Sequence, residues 1–324
     1  MNSLFRQRLP QLVTAGIFLL LFAAAGWRYH EVNFASAPNV ANLFIGNACL
    51  GIIAVGMTLV IFSGGIDLSV GAVAAFTNIF AAVLIEKHGM NPLLVILASL
   101  AIGTAFGAAM GALIHYFKQP AFLVTLAGMF FARGCAYWMS TDSIDIHNEL
   151  FLKLSRDTAK IGGDTIHPLP AYVFLVVLAF GYVLAQHTRF GRNLLAIGGN
   201  EQSALLMGLP VGVTKIAVYA LCGAGAALAG LVSTLVSGGD STYGIGLELD
   251  AIATVVIGGT LLTGGRGHML GTLLGFLIIG TIQSAITFDG SLSSWWTRII
   301  TGALLLGFIL FQRLLLRATQ KRLP

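Results

Sequence analysis

The chain has 324 residues, of which 56% are hydrophobic and only 10% charged, with a formal net charge of +5 and a mean hydropathy of +0.87. Soluble domains carry about 25% charged residues, so this chain belongs in lipid rather than water, and no nucleic-acid partner is expected. Its three cysteines (Cys49, Cys135, Cys222) stand singly in apolar runs, with no CxxC spacing and no disulfide framework.

From the N-terminus, apolar stretches of spanning length fall at 11–27, 42–62, 70–85, 92–116, 120–140, 169–186, 214–236, 250–264, 268–288 and 295–312. They predict an all-α integral membrane protein of about ten transmembrane helices, a single transmembrane domain over 1–324. The first stretch, with Arg6 and Arg8 before it and Ala23-Ala24-Ala25 after it, has the layout of a secretory signal peptide. The charge distribution favours an uncleaved first span instead. With the N-terminus cytoplasmic, one side collects eleven bases: Arg6, Arg8, Lys118, Arg189, Arg192, Lys215, Arg266, Arg313, Arg317, Lys321 and Arg322. Only Asp67 and Glu201 accompany them. The other side has six bases (Arg28, Lys87, Lys153, Arg156, Lys160, Arg298) and the remaining eleven acids. By the positive-inside rule, both termini are cytoplasmic.

The second and third stretches are separated by SGGIDLSVG (63–71), which breaks the helical pattern. Irregular backbone at membrane depth survives only where it is buried in protein or faces a water-filled cavity. Gly64, Gly65, Asp67 and Ser69 are therefore candidates for a translocation path, and Asp67 is also a candidate cap for the helix that follows, at the cytoplasmic edge. The same spacing returns two hundred residues later as TGGRGHMLG (263–271), a faint internal repeat of the kind that marks permeation paths. That copy carries Arg266 and His268 and predicts a tight inner turn.

Further along, Thr77, Asn78, Thr125 and Gln283 are neutral groups able to line such a path, as are Thr281 and Ser284, or to bond helix to helix. Arg133 sits inside the stretch 120–140, where a charge must pair with an acid or with backbone carbonyls, or snorkel outward. An acidic outer loop occupies about 141–168, with Asp142, Asp145, Glu149, Asp157 and Asp164. Trp295-Trp296, at the outer end of the last stretch, suits an interfacial belt.

The most informative segment is the basic inner loop, about 187–213, containing TRFGRNLLAIGGNEQSALLMGLP. It holds two arginines, a Gly-Gly-Asn turn, an acid and an apolar run closed by Pro210. A short amphipathic helix flanked by glycines fits a groove in a soluble partner, apolar side inward. Arg189 and Arg192 would pair with acids there, or with anionic headgroups.

Signatures of chemistry are missing. No HExxH, GxSxG or GxxxxGK[ST] occurs, and the seven histidines have no ligand spacing, so no metal site, catalytic residue or ATP site is predicted. An ion-driven carrier would keep acids deep in its bundle, and the deep ionisable inventory here is nearly empty. A membrane enzyme would need a polar cluster at one face, and none is visible.

Four segments carry a resemblance: GIIAVGMTLVIFSGGIDLSVGAV (51–73), PAFLVTLAGMFFARG (120–134), TRFGRNLLAIGGNEQSALLMGLPV (188–211) and LDAIATVVIGGTLLTGGRG (249–267). In order and over nearly the whole chain, they resemble the permeases of bacterial ABC importers for ribose, galactose and related monosaccharides. Within that family, 246–265 and 288–299 look most like a permease of the galactofuranose importer. The resemblance implies a separate cytoplasmic ATPase that holds ATP and magnesium, a second permease subunit, identical or not, and a periplasmic sugar-binding protein, all at the inner membrane. It also implies that 188–210 couples to the ATPase, which nominates Arg189, Phe190, Gly191, Arg192, Ala196, Gly198, Asn200, Glu201, Ala204 and Gly208. Arg266 and His268 are bulkier than that family's inner turn leads one to expect.

Overall fold

A computed structural model describes the backbone of residues 3–291, 293 and 295–320, with side chains over 11–310 apart from 156, 292 and 294. Of the bases in the charge tally, Arg6, Arg8, Arg156, Arg313, Arg317, Lys321 and Arg322 lie outside the described side chains. The elements run α1 (Ser3–Arg28), α2 (Ala37–Gly46), α3 (Ala48–Phe62), α4 (Val70–Ala82), α5 (Pro92–Tyr116), α6 (Ala121–Met139) and α7 (Glu149–Arg156). A hairpin follows, β1 (Ala159–Ile161) and β2 (Asp164–Ile166), then α8 (Leu169–His187), α9 (Arg189–Gly199), α10 (Glu201–Leu206) and α11 (Val211–Ser237). The last three are α12 (Leu247–Ile257), α13 (Met269–Asp289) and α14 (Trp295–Gln320).

Every one of the ten predicted stretches coincides with a helix, but two differ in form. The stretch 42–62 starts earlier and bends by 57° between α2 and α3. The stretch 250–264 is helical only to Ile257. Eleven residues give a helix of about 16 Å, about half the hydrocarbon core, so α12 does not cross on its own. Among the described residues, seven helices are long and apolar enough to span a membrane, eight if α2 and α3 count as one.

The centre is α3. Every residue from Ala48 to Phe62 except Cys49 is buried, as expected of a helix apolar on all sides. Around it pack α8, α11, α12 and α13. The most extensive helix pairing among the described residues, α5 with α11, is explained by a stripe of small residues, Gly103, Gly107 and Gly111, one turn apart. Side chains at these positions would meet the backbones of Gly223, Tyr219 and Ile216. Without water to expel, membrane helices associate through such close backbone approach.

The first helix is part of this bundle: α1 runs along α13, and Thr14 Oγ1 donates to the Ile257 carbonyl at 3.0 Å. The outer loop holds more structure than expected. The hairpin β1–β2 turns at Gly162 and Gly163, both with positive φ, α7 buries Phe151, and β2 buries Ile166. Ile144 forms an antiparallel bridge with Gly239, which ties this loop to the strap 238–246 between α11 and α12.

Candidate functional site

The inner loop builds a compact helical knob. Thr188 caps α9 by accepting from the Gly191 N–H at 3.3 Å. Gly191 is required at this corner, because a Cβ there would run into the Ala185 carbonyl. The helix turns Leu194 and Ile197 inward, both buried, and Phe190 packs against the core. Asn200 closes α9 through its N–H to the Ala196 carbonyl at 3.1 Å. Its side chain also starts α10 by accepting from the Ser203 N–H at 2.8 Å. One residue thus serves both helices, where the sequence predicted one helix and a turn.

Ala204 is fully buried against Ile197 and Val211, and Gly208, at φ 76°, lets the chain turn towards Pro210. Glu201 Oε2 accepts from Lys215 Nζ at 2.6 Å, which fixes α10 against the first turn of α11. Arg189 and Arg192 are exposed. At the tip, Leu205, Leu206 and Met207 are 63%, 88% and 67% exposed. Three consecutive exposed apolar side chains, on the loop that also exposes two arginines, form a surface suited to a protein groove. Only the apolar run from Ala204 to Leu209 hinted at these three, and side-chain direction decided it.

The nominated path residues are mostly inside the subunit. Asp67 is fully buried, and its Oδ1 accepts from the Ser69 N–H at 2.9 Å and hydroxyl at 2.6 Å. It therefore shapes the turn ahead of α4, which begins at Val70. Thr125 Oγ1 donates to the Ile66 carbonyl at 3.2 Å. Thr77 Oγ1 reaches the Ala227 carbonyl of α11 at 3.3 Å. Gly64, at φ 81°, abuts Gly198 of α9. Gln283 is half-buried on α13, and among the described residues no hydrogen bond joins it to the others.

At the opposite end, Asn78 and Arg133 hold the strap. Asn78 Nδ2 donates to Ser233 Oγ, Thr234 Oγ1 and the Gly238 carbonyl at 2.9, 3.1 and 2.9 Å. Its Oδ1 accepts from the Asp240 N–H at 2.6 Å. Arg133 Nη1 donates to the carbonyls of Ser241 and Tyr243 at 3.0 and 2.7 Å, one of the two pairings its position required. Arg298 Nη2 donates to the Ile245 carbonyl at 3.3 Å and lies over the Trp295 ring. His268 Nδ1 accepts from the Leu270 N–H at 3.1 Å, so this bulky residue caps α13. Among the described residues no group of three or more His, Cys, Asp or Glu is placed to hold a metal ion.

Residues 39–309 match the family described as "Branched-chain amino acid transport system / permease component". The chain belongs to that permease family. The permease is 49% identical over 311 residues to the inner membrane ABC transporter permease protein YjfF of Escherichia coli, covering 96% of this chain and 93% of that one. It is 41% identical over 321 residues to the fructose import permease protein FruG of Bifidobacterium longum, covering 96% and 92%. To the ribose import permease protein RbsC of Escherichia coli it is 37% identical over 280 residues, 85% of each chain. No solved structure matches it. Two of these relatives are named as import permeases for a sugar, fructose or ribose, and the permease is a multi-pass membrane protein.

Proposed function

We propose that this permease is the membrane subunit of an ATP-driven importer in the bacterial inner membrane, carrying a monosaccharide, with galactofuranose the first candidate. The observation that carries the proposal is the knob of Leu205, Leu206 and Met207, exposed on a doubly capped loop that also exposes Arg189 and Arg192. An apolar tip of this kind, on a loop that the charge count assigns to the cytoplasmic side rather than to a span, calls for a soluble protein partner. A separate cytoplasmic ATPase, holding ATP and magnesium, is that partner, so the chain itself is no enzyme and needs no cofactor. The coupling residues Arg189, Phe190, Gly191, Arg192, Ala196, Gly198, Asn200, Glu201, Ala204 and Gly208 then form the knob and its supports.

The charge asymmetry favours ten crossings with both termini cytoplasmic, α12 completing its crossing with the turn that follows. Nucleotide binding would draw the ATPase, and with it the knobs of two permease subunits, identical or not, towards one another. The path between them would open to a loaded periplasmic sugar-binding protein, and hydrolysis would reset it. Gly64, Gly65, Asp67, Ser69, Thr77, Asn78, Thr125, Arg133 and Gln283 frame that path, several of them by fixing the helices that move. Sugar is favoured over amino acid because relatives matching nearly the whole chain carry sugar names, fructose and ribose among them. An ion-gradient carrier is less well supported, since YjfF, matching 96% of this chain, is named as an ABC transporter permease.

The test is uptake of labelled galactofuranose by cells holding the permease, its binding protein and its ATPase, the last in active and catalytically dead forms. Uptake that requires the active ATPase supports the proposal, and competition by ribose or fructose would move the substrate to that sugar. Uptake indifferent to the dead ATPase but abolished by an uncoupler would replace it with the ion-driven reading.

A further inference from the structure

The two copies of the glycine repeat meet in space, and they meet at the end of α9. Gly64 follows α3, and Gly264 and Gly265 lie in the turn between α12 and α13. All three have positive φ, 81°, 80° and 74°, a conformation that L side chains rarely adopt. A Cβ on Gly264 would lie 2.6 Å from the Gly64 amide nitrogen, 2.7 Å from the Gly64 Cα and 3.1 Å from the Gly198 Cα. A Cβ on Gly198 would run into the Phe62 carbonyl, the last of α3, and lie 2.6 Å from the Gly265 nitrogen. The Gly265 N–H donates to that same Phe62 carbonyl at 3.1 Å. Behind the first turn, Tyr219 of α11 fills the place a side chain on Gly65 would take.

Three backbones from distant parts of the sequence therefore touch with no side chain between them. A side chain at such a contact absorbs displacement by changing rotamer, whereas touching backbones do not, and packed interiors are poorly compressible. Gly199, the next residue along, differs: a Cβ there meets nothing within 4 Å.

We propose that Gly64, Gly198, Gly264 and Gly265 form a coupling joint, a set of positioning residues through which a push on α9 and α10 moves the α3–α4 and α12–α13 turns as one body. This rests on the reading that the knob docks an ATPase. Both interrupted helical pairs then move with the knob, and the buried turn at Asp67 is displaced without touching the ATPase itself.

The test compares Gly198→Ala, Gly199→Ala and Leu206→Asp in the full complex of permease, ATPase and binding protein. Gly199→Ala should behave as wild type. Gly198→Ala should still co-purify with the ATPase and hydrolyse ATP, while sugar imported per ATP falls about tenfold. Equal behaviour of the two alanine variants, or a parallel loss of hydrolysis and uptake in Gly198→Ala, would overturn the joint. Leu206→Asp reports on the docking alone: if it leaves the ATPase bound and coupled, the docking reading fails, whatever the glycines do. Should Gly198→Ala not insert, hydrogen exchange in the wild-type complex decides. The 258–268 peptide should be equally protected with and without a non-hydrolysable ATP analogue, and faster exchange in either state would mean that the joint opens.

Discussion

Lys215, at the start of α11, reaches back across the inner loop to Glu201, with Nζ 2.6 Å from Oε2. The pair closes a ring formed by α10, the Gly208–Pro210 turn and the first turn of the long helix beside α3. The carboxylate is half-exposed, so the pair contributes only about 0.2–1 kcal/mol to stability. Its expected effect is on orientation, since it ties the helix that carries Leu206 to α11. Glu201→Arg should leave the protein inserted and lower sugar import per ATP hydrolysed, and adding Lys215→Glu should restore much of it. Transport assays on the two variants check this, and unchanged coupling in Glu201→Arg would show that the pair does not orient the knob.

Asn78 is fully buried, and its amide bonds α4 to the end of α11 and to the strap that follows. Asn78→Leu would orphan the Gly238 carbonyl and the Asp240 N–H, both part-buried, so that each costs less than the ~1–3 kcal/mol of a fully buried orphan. Thermal unfolding in detergent should show a clear loss of stability, larger than for Thr77→Val, whose hydroxyl bonds only to carbonyls.

Arg133 fixes the same strap from α6. Lysine carries the charge, but its shorter side chain does not place an ammonium where Nη1 bonds both carbonyls. Arg133→Lys should therefore speed hydrogen exchange across 238–246 while leaving the 258–268 turn unchanged. Equal exchange in variant and wild type would mean that Asn78 and Arg298 hold the strap unaided.

The outer loop carries Asp142, Asp145 and Glu149 beside the bridge from Ile144 to Gly239. Its excess of acid suits a basic patch on the periplasmic binding protein, steering their encounter. Reversing the three to lysine should lower uptake at low salt more than at high salt, where steering is screened. Uptake unaffected at either ionic strength would remove this role.

Most of the helices were legible in the sequence because a spanning segment announces itself by length and apolarity alone. The glycine break after Phe62 and the docking segment were legible too, through composition. What escaped depends on distance rather than pattern. The end of α12 at Ile257 is set by Gly259, whose φ of 92° turns the chain out of the helix, a glycine stop masked by the apolar residues that continue past it. The hairpin at Gly162-Gly163 hid inside a loop read only for its charge. Asp67 was legible as a turn residue, but its full burial and its bonds to Ser69 depend on the surrounding helices. The TGG repeat was visible as a weak echo of SGG, but that its two copies touch through Gly64 and Gly264 emerges only in three dimensions.

The most direct test of the central claim is a proximity measurement at Leu206. In a variant with Cys49, Cys135 and Cys222 replaced by serine or alanine, a single cysteine at position 206 should cross-link to the ATPase subunit in the assembled complex. A cysteine at the exposed outer residue Asp142 should not. A complex that assembles and imports sugar without any 206 cross-link would contradict the assignment of α9 and α10 as the ATPase dock.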